Sequence, residues 1–108
     1  MRTERSREMI RASYFMARFG ELGDTGNCKP PAEMGVDKWP EAYDKLHRQL
    51  GDGRPFKTFR NSIRNEQKHQ RECLDGQNTL SEKRRAILGD FVRLGRAEMW
   101  DEVRQYVE

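Results

Sequence analysis

Six polar residues in the middle of the chain have the spacing of one helical face, and their chemistry suits a polyanion. At about 100° per residue they fall within a sector roughly 100° wide, opposite Phe56, Phe59 and Ile63. The predicted helix, residues 54–72, therefore has one face for packing and one for binding. The polar face holds Lys57, Arg60, Asn61, Arg64, Lys68 and Arg71, with Arg54 just ahead of them.

The positive charge of the chain is concentrated in this segment. Residues 54–71 hold six basic residues and one acid, Glu66, for a net charge of +5. The whole chain carries +3, so the other residues sum to −2. A basic helix that also carries an amide is typical of nucleic-acid contacts, because lysine and arginine pair with phosphates and asparagine can reach base edges. The plain alternative is a solvated charged face on an ordinary surface helix.

A second basic strip is predicted near the N-terminus. Arg7, Arg11 and Arg18 share a helical face about 60° wide with Tyr14. We expect these three arginines to add contacts to the backbone of a bound nucleic acid.

One arrangement has the spacing of metal ligands. His69 and Cys73 stand at i and i+4 on one helix face, and Cys28 and His47 would complete a set of four ligands. Structural zinc sites usually present close Cys-x-x-Cys pairs, which this sequence lacks. A buried thiol beside an exposed histidine is the preferred interpretation, so we expect no metal and no cofactor.

The sequence contains no signature of catalysis. A nucleophilic site needs a serine, threonine or cysteine with a base and an orienting group, and no local motif supplies one. The carboxylates are spread along helix faces and do not cluster as metal-assisted hydrolysis requires. No glycine-rich phosphate loop of nucleotide-binding type occurs. We therefore expect a protein that is not an enzyme.

Helices must position these faces, because apolar residues recur at i, i+3, i+4 and i+7 through most of the chain. Ser6 is suited to cap the first helix and Asp37 the second. Thr79 begins a Thr-x-x-Glu capping box that predicts the start of the fourth helix. The sequence pattern predicts a fifth helix over residues 96–107, and this helix is acidic.

The second and third predicted helices are joined by a short glycine-containing turn. The second helix ends at Gly51, and the sequence Gly-Asp-Gly-Arg-Pro leads from it into the basic helix. This is the outline of a helix-turn-helix-like hairpin over residues 38–73. The aromatic residues of the second helix, Trp39 and Tyr43, are interpreted as core residues.

The fold class follows from these elements. We predict an all-α protein, a compact bundle of four to five helices in a single small domain, residues 1–108. A long irregular loop, residues 20–37, holds four glycines and two adjacent prolines between the first two helices. This loop is the least regular part of the predicted fold.

Composition restricts the type of protein and the cellular location that we expect. A charged content of 36% against 34% apolar fits a small helical domain with a large hydrated surface. Two cysteines are too few for a disulfide framework. Arginines interrupt the most apolar segment before it reaches membrane-spanning length. We expect a cytoplasmic protein of bacterial or phage type that does not associate with a membrane.

These features predict a non-enzymatic nucleic-acid-binding module that uses the basic helix, with DNA preferred to RNA and duplex DNA as the expected target. Asn61 and one arginine would reach base edges, while the other cations contact phosphates. The alternative is a small protein-interaction module: a phage-encoded inhibitor, or an accessory domain of a defence or DNA-processing system. Its basic face would then dock on an acidic or nucleic-acid-binding partner protein. The oligomeric state stays open.

Overall fold

The computed structural model describes residues 6–21, 29–51 and 53–107 of the chain. Within these residues it contains helices and no strand, so the protein is all-α, as predicted. Two short 3-10 turns, Ala32–Met34 and Phe91–Arg93, connect longer helices. The α-helices are α1 (Arg7–Phe19), α2 (Trp39–Leu50), α3 (Phe56–Leu74), α4 (Glu82–Leu88) and α5 (Arg96–Val107).

α1 begins with a side-chain cap, whereas α2 does not. Ser6 caps α1 as predicted, because its Oγ accepts a hydrogen bond from the Met9 amide at 3.2 Å. α2 begins one residue later than an Asp37 cap would place it. Lys38 occupies the capping position and makes no side-chain cap bond, and Trp39 is the first helical residue. A proline in the first turn tolerates this, since it has no amide to satisfy.

α4 also begins later than the capping box predicts. The capping residue is Ser81, not Thr79, and its Oγ accepts a hydrogen bond from the Arg84 amide at 3.3 Å. The Arg84 side chain reaches both Ser81 and Glu66 of α3, which holds the later start in place. The helix ends at Leu88, and Val92 in the following 3-10 turn is exposed.

α3 packs along α1 on one side and α2 on another, while α1 also contacts α4 and α5. Phe59 and Ile63 are fully buried against the core, as the apolar spacing predicts. Burying each of these side chains contributes about 1.5–3 kcal/mol. Farther along α3 the buried side becomes polar, with Glu66, Gln67 and Gln70 all enclosed. The second half of the helix is therefore held by hydrogen bonds as well as by apolar packing.

α2 and α3 form an antiparallel hairpin. Gly53 turns the chain with φ of 78°, a left-handed conformation that favours glycine. Near the turn, the His47 ring lies 5.5 Å from that of Phe59. One turn earlier on α2, Tyr43 donates a hydrogen bond to Gln67, two turns farther along α3. The side chains of α2 and α3 thus meet along much of the hairpin.

A backbone hydrogen bond joins two parts of the long irregular loop. The Glu21 amide donates to the Lys29 carbonyl at 2.8 Å, which brings residues 21 and 29 together. Residues 22–28 between them lie outside the described residues. Trp39 packs closely against Gly20 in the same region. A Cβ added at Gly20 would lie only 2.6 Å from the indole ring.

In the described residues, no helix is both long enough and apolar enough to cross a membrane.

Candidate nucleic-acid interface

The exposed face of α3 is positively charged. Lys57, Arg64 and Lys68 are all exposed, and Asn61 and Asn65 lie exposed among them. At 1.5 Å per residue, the row from Lys57 to Lys68 is about 16 Å long. The helical phase assigned from the apolar spacing therefore presents these cations to solvent together.

The one acid of the basic segment, Glu66, lies on the buried side of α3. Its two carboxylate oxygens accept hydrogen bonds from the Arg84 guanidinium, both at 2.7 Å. Gln70 adds a third hydrogen bond at 2.8 Å. The hydrogen bond with Glu66 raises the pKa of Arg84, so the guanidinium stays charged. Burial of Glu66 removes its negative charge from the exposed face of α3.

Two predicted cations at the ends of the segment are engaged within the protein. Arg54 Nε donates to the Gly51 carbonyl at 3.2 Å, and the Arg54 guanidinium lies over the Phe59 ring. Arg71 Nη1 donates to the Ala17 carbonyl at 3.1 Å, which joins the end of α1 to α3. Both arginines add positive charge to the region, but their geometry is set by the fold.

Arg11 does not take the role that its helical face predicts. Its side chain is buried, with Nε donating to the Ile87 carbonyl at 3.1 Å and Nη1 2.6 Å from a Glu102 carboxylate oxygen. The guanidinium also lies 5.3 Å from the Phe91 ring centre. These partners sit beside α4 and α5, so Arg11 is a structural residue and is not available for a phosphate.

The other two arginines of the N-terminal strip remain exposed but are separated. Arg7 lies in the first turn of α1 and Arg18 in the last. Arg18 donates to the Tyr14 hydroxyl at 3.3 Å. Tyr14 itself is buried and packs edge-on against Phe91. The predicted strip is thus divided by two buried residues and forms no continuous basic surface.

A groove lies beside the exposed face of α3, between that helix and the start of α2. Its volume is about 890 Å³, within the range of about 300–1,000 Å³ that ligand pockets usually have. Four cations and two acids line it, together with aromatic and amide side chains. The lining residues are Trp39, Pro40, Tyr43, Arg60, Asn61, Arg64, Asn65, Gln67, Lys68, Arg71, Glu72, Asp75 and Gln77.

One wall of the groove is aromatic. The rings of Trp39 and Tyr43 stack with centres 5.8 Å apart. Tyr43 is only 4% exposed, as expected of a core residue. Trp39 is half-buried and faces the groove, with its indole N–H held by the Glu21 carbonyl at 3.0 Å.

Three residues that line the groove, Tyr43, Gln67 and Arg60, carry buried donor groups, of which two have no partner. The Tyr43 hydroxyl donates to Gln67 Oε1 at 2.8 Å, and burial raises the pKa of Tyr43 to about 12, so this proton stays in place. The amide nitrogen of Gln67 and Nε of Arg60 are buried and have no hydrogen-bond partner. Arg60 as a whole is half-buried. Both unpaired atoms are enclosed and are not exposed to the open groove.

Of the four residues weighed as metal ligands, the three that the structure describes do not converge. Cys28 lies outside the described residues. His69 Nε2 is 3.7 Å from Cys73 Sγ, and burial raises the pKa of that thiol. The His47 ring packs against Phe59. Phe59 and His69 are ten residues apart on α3, which corresponds to about 15 Å along the helix. Across residues 6–21, 29–51 and 53–107, no group of three or more metal-binding side chains is present.

No protein-family model, curated protein or solved structure matches the chain. Function is therefore inferred from the charge, exposure and contacts of α3 and the groove beside it.

Proposed function

We propose that this protein is a non-enzymatic nucleic-acid-binding module that contacts duplex DNA through the exposed face of α3. One observation carries the proposal: Lys57, Arg64 and Lys68 are exposed in a row, while Glu66 is buried and neutralised on the other side of the helix. The row of about 16 Å is comparable to the axial rise of about five base pairs. A cytoplasmic, bacterial or phage setting belongs to the same proposal.

The side chains on this face have complementary roles in the proposed complex. Lys57, Arg64 and Lys68 contact phosphates, which orient the helix but carry no sequence information. Arg60, at the edge of the groove, contacts a fourth phosphate. Asn61 lies between Lys57 and Arg64 on the exposed face, where its amide can pair with a base edge in a major groove about 12 Å wide.

The salt dependence of binding tests the proposal. Four neutralised phosphates, one for each of Lys57, Arg60, Arg64 and Lys68, give a slope of log affinity against log salt of about −3.6. Fluorescence anisotropy with a blunt duplex of about two helical turns, measured from about 50 to 200 mM salt, gives that slope directly. Arg64→Ala or Lys68→Ala should each make it shallower by about 0.9.

Arg104→Ala is the matched control, because Arg104 is an exposed arginine on acidic α5. It should change neither the affinity nor the slope. If it weakens binding as much as Arg64→Ala does, α3 is not the contact face. Failure to bind duplex DNA, single-stranded DNA and RNA at about 50 mM salt would refute the proposal and favour docking on a protein partner.

A further inference from the structure

Two asparagines lie near the middle of the cationic row on α3. Asn61 and Asn65 are both exposed, and they fall between Lys57 and Lys68 along the helix. Because they are four residues apart, their side chains lie about 40° apart around the helix and about 6 Å apart along it. The two amides therefore face the same partner as the cations do.

Both amides are available to that partner. Within the described part of the chain, neither Asn61 nor Asn65 forms a side-chain hydrogen bond with another residue. By contrast, the exposed amide of Gln105 on α5 donates to the Asp101 carbonyl at 3.3 Å. A side-chain amide that makes no internal bond can present its oxygen and its nitrogen together, one as acceptor and one as donor.

Acidic residues at the end of α3 confine a polyanion to the part of the helix that carries these amides. After Lys68, the last turns of α3 and its cap hold Arg71 against two acids, Glu72 and Asp75. The Arg71 guanidinium also pairs with Asp75 at 3.4 Å. Because phosphates are attracted to cations and repelled by acids, the contact is centred on residues 57–68, with the two asparagines near its middle.

We propose that Asn61 and Asn65 each read an adenine, so that the protein prefers A·T pairs in the major groove of the duplex. This inference rests on the proposed function and adds the chemical class of the target to it. The amide of asparagine donates to N7 of adenine and accepts from its N6 amino group, whereas guanine presents two acceptors at these positions. A separation of about 6 Å along the helix spans at most about two base-pair steps, so both adenines lie in one short segment.

Anisotropy titrations with three duplexes of equal length test this inference: alternating A·T pairs, alternating G·C pairs and alternating inosine·C pairs. Inosine lacks the 2-amino group of guanine, so the third duplex presents the major groove of G·C and the minor groove of A·T. We expect the A·T duplex to bind about tenfold more tightly than either of the others. Replacing its adenines by 7-deazaadenine removes the N7 acceptor and should weaken binding by about fivefold.

Variants assign the preference to the two amides. Asn61→Ala and Asn65→Ala should each reduce it, and the double variant should bind all three duplexes equally while the salt slope stays at about −3.6. Both positions are exposed within a helix, where alanine is favoured over asparagine, so circular dichroism should show an unchanged fold. Gln105→Ala is the matched control, since it removes an exposed amide from α5 and should keep the full preference.

Equal affinity of the wild-type protein for the three duplexes overturns the adenine inference, yet leaves the α3 proposal standing if the salt slope is as expected. An A·T preference that the inosine duplex shares also overturns it, because the signal then comes from the minor groove or from duplex shape. The same holds for a preference that persists in the double variant, is lost in Gln105→Ala or is unaffected by 7-deazaadenine. If no duplex binds at low salt, both proposals fail together.

Discussion

Glu66 of α3 and Arg84 of α4 form an ion pair, and replacing one or the other should lower the stability of the protein by different amounts. Glu66 is fully buried, whereas the Arg84 side chain keeps 21% of its surface exposed. In Glu66→Gln, Arg84 can turn toward water. In Arg84→Met, the Glu66 carboxylate stays enclosed beside Gln70 and loses the guanidinium that neutralises it.

The expected magnitudes follow from this asymmetry. Leaving an uncompensated charge in the interior costs about 3–5 kcal/mol, which is the expectation for Arg84→Met. Glu66→Gln loses charge-assisted hydrogen bonds but keeps an oxygen that can accept one, so about 1.5–3 kcal/mol is expected. Small domains are stable by about 5–15 kcal/mol in total. Arg84→Met should therefore lower the Tm by at least about 12 °C.

Urea denaturation followed by circular dichroism measures both free energies of unfolding. Arg85→Met, an exposed arginine next to Arg84 on α4, is the matched control and should change stability by less than about 0.5 kcal/mol.

Two results would refute this reasoning. If Glu66→Gln destabilises the protein more than Arg84→Met does, the carboxylate is not the more deeply buried partner. If both changes cost less than about 0.5 kcal/mol, as surface substitutions do, the pair lies in water. The charge distribution proposed for α3 would then be wrong, because Glu66 would return to the exposed surface.

Two further predictions concern the core and the buried arginine. Phe59→Ala should destabilise the protein by about 3–5 kcal/mol in thermal melts while Lys68→Ala stays within about 0.5 kcal/mol; an unchanged Phe59→Ala melt would show that the helical phase of α3 is wrong. Arg11→Met should cost about 1.5–3 kcal/mol through loss of its bond to Glu102, yet leave the salt slope of DNA binding unchanged; a shallower slope would mean that Arg11 contacts phosphate after all.

The sequence alone was sufficient for the helical fold class and for the orientation of α3. The 3.6-residue period of Phe59 and Ile63 predicts their burial, and the same period predicts exposure of Lys57, Arg64 and Lys68. These are properties of one helix, since an amphipathic segment packs its apolar side whichever neighbour it meets. The candidate binding face was predictable for this reason.

The groove was not predictable, because its walls come from two helices. Trp39 follows the apolar stripe of α2 and was interpreted as core, yet it lies half-exposed opposite Arg64 and Lys68. The Tyr43–Gln67 hydrogen bond joins residues 24 positions apart. Only the packing of α2 along α3 decides that these side chains share one concave surface.

Whether an individual charged side chain is exposed or paired in the interior was also decided by tertiary packing. On a helical wheel Arg11 resembles Arg7 and Arg18, but a carboxylate 91 residues away pairs with it inside the protein. Glu66 is buried by an arginine from a helix that begins 16 residues later. Local periodicity reports which residues share a face of a helix. Whether a charged residue on that face meets water or an opposite charge depends on which distant element packs against it, and this is determined only when the whole chain folds.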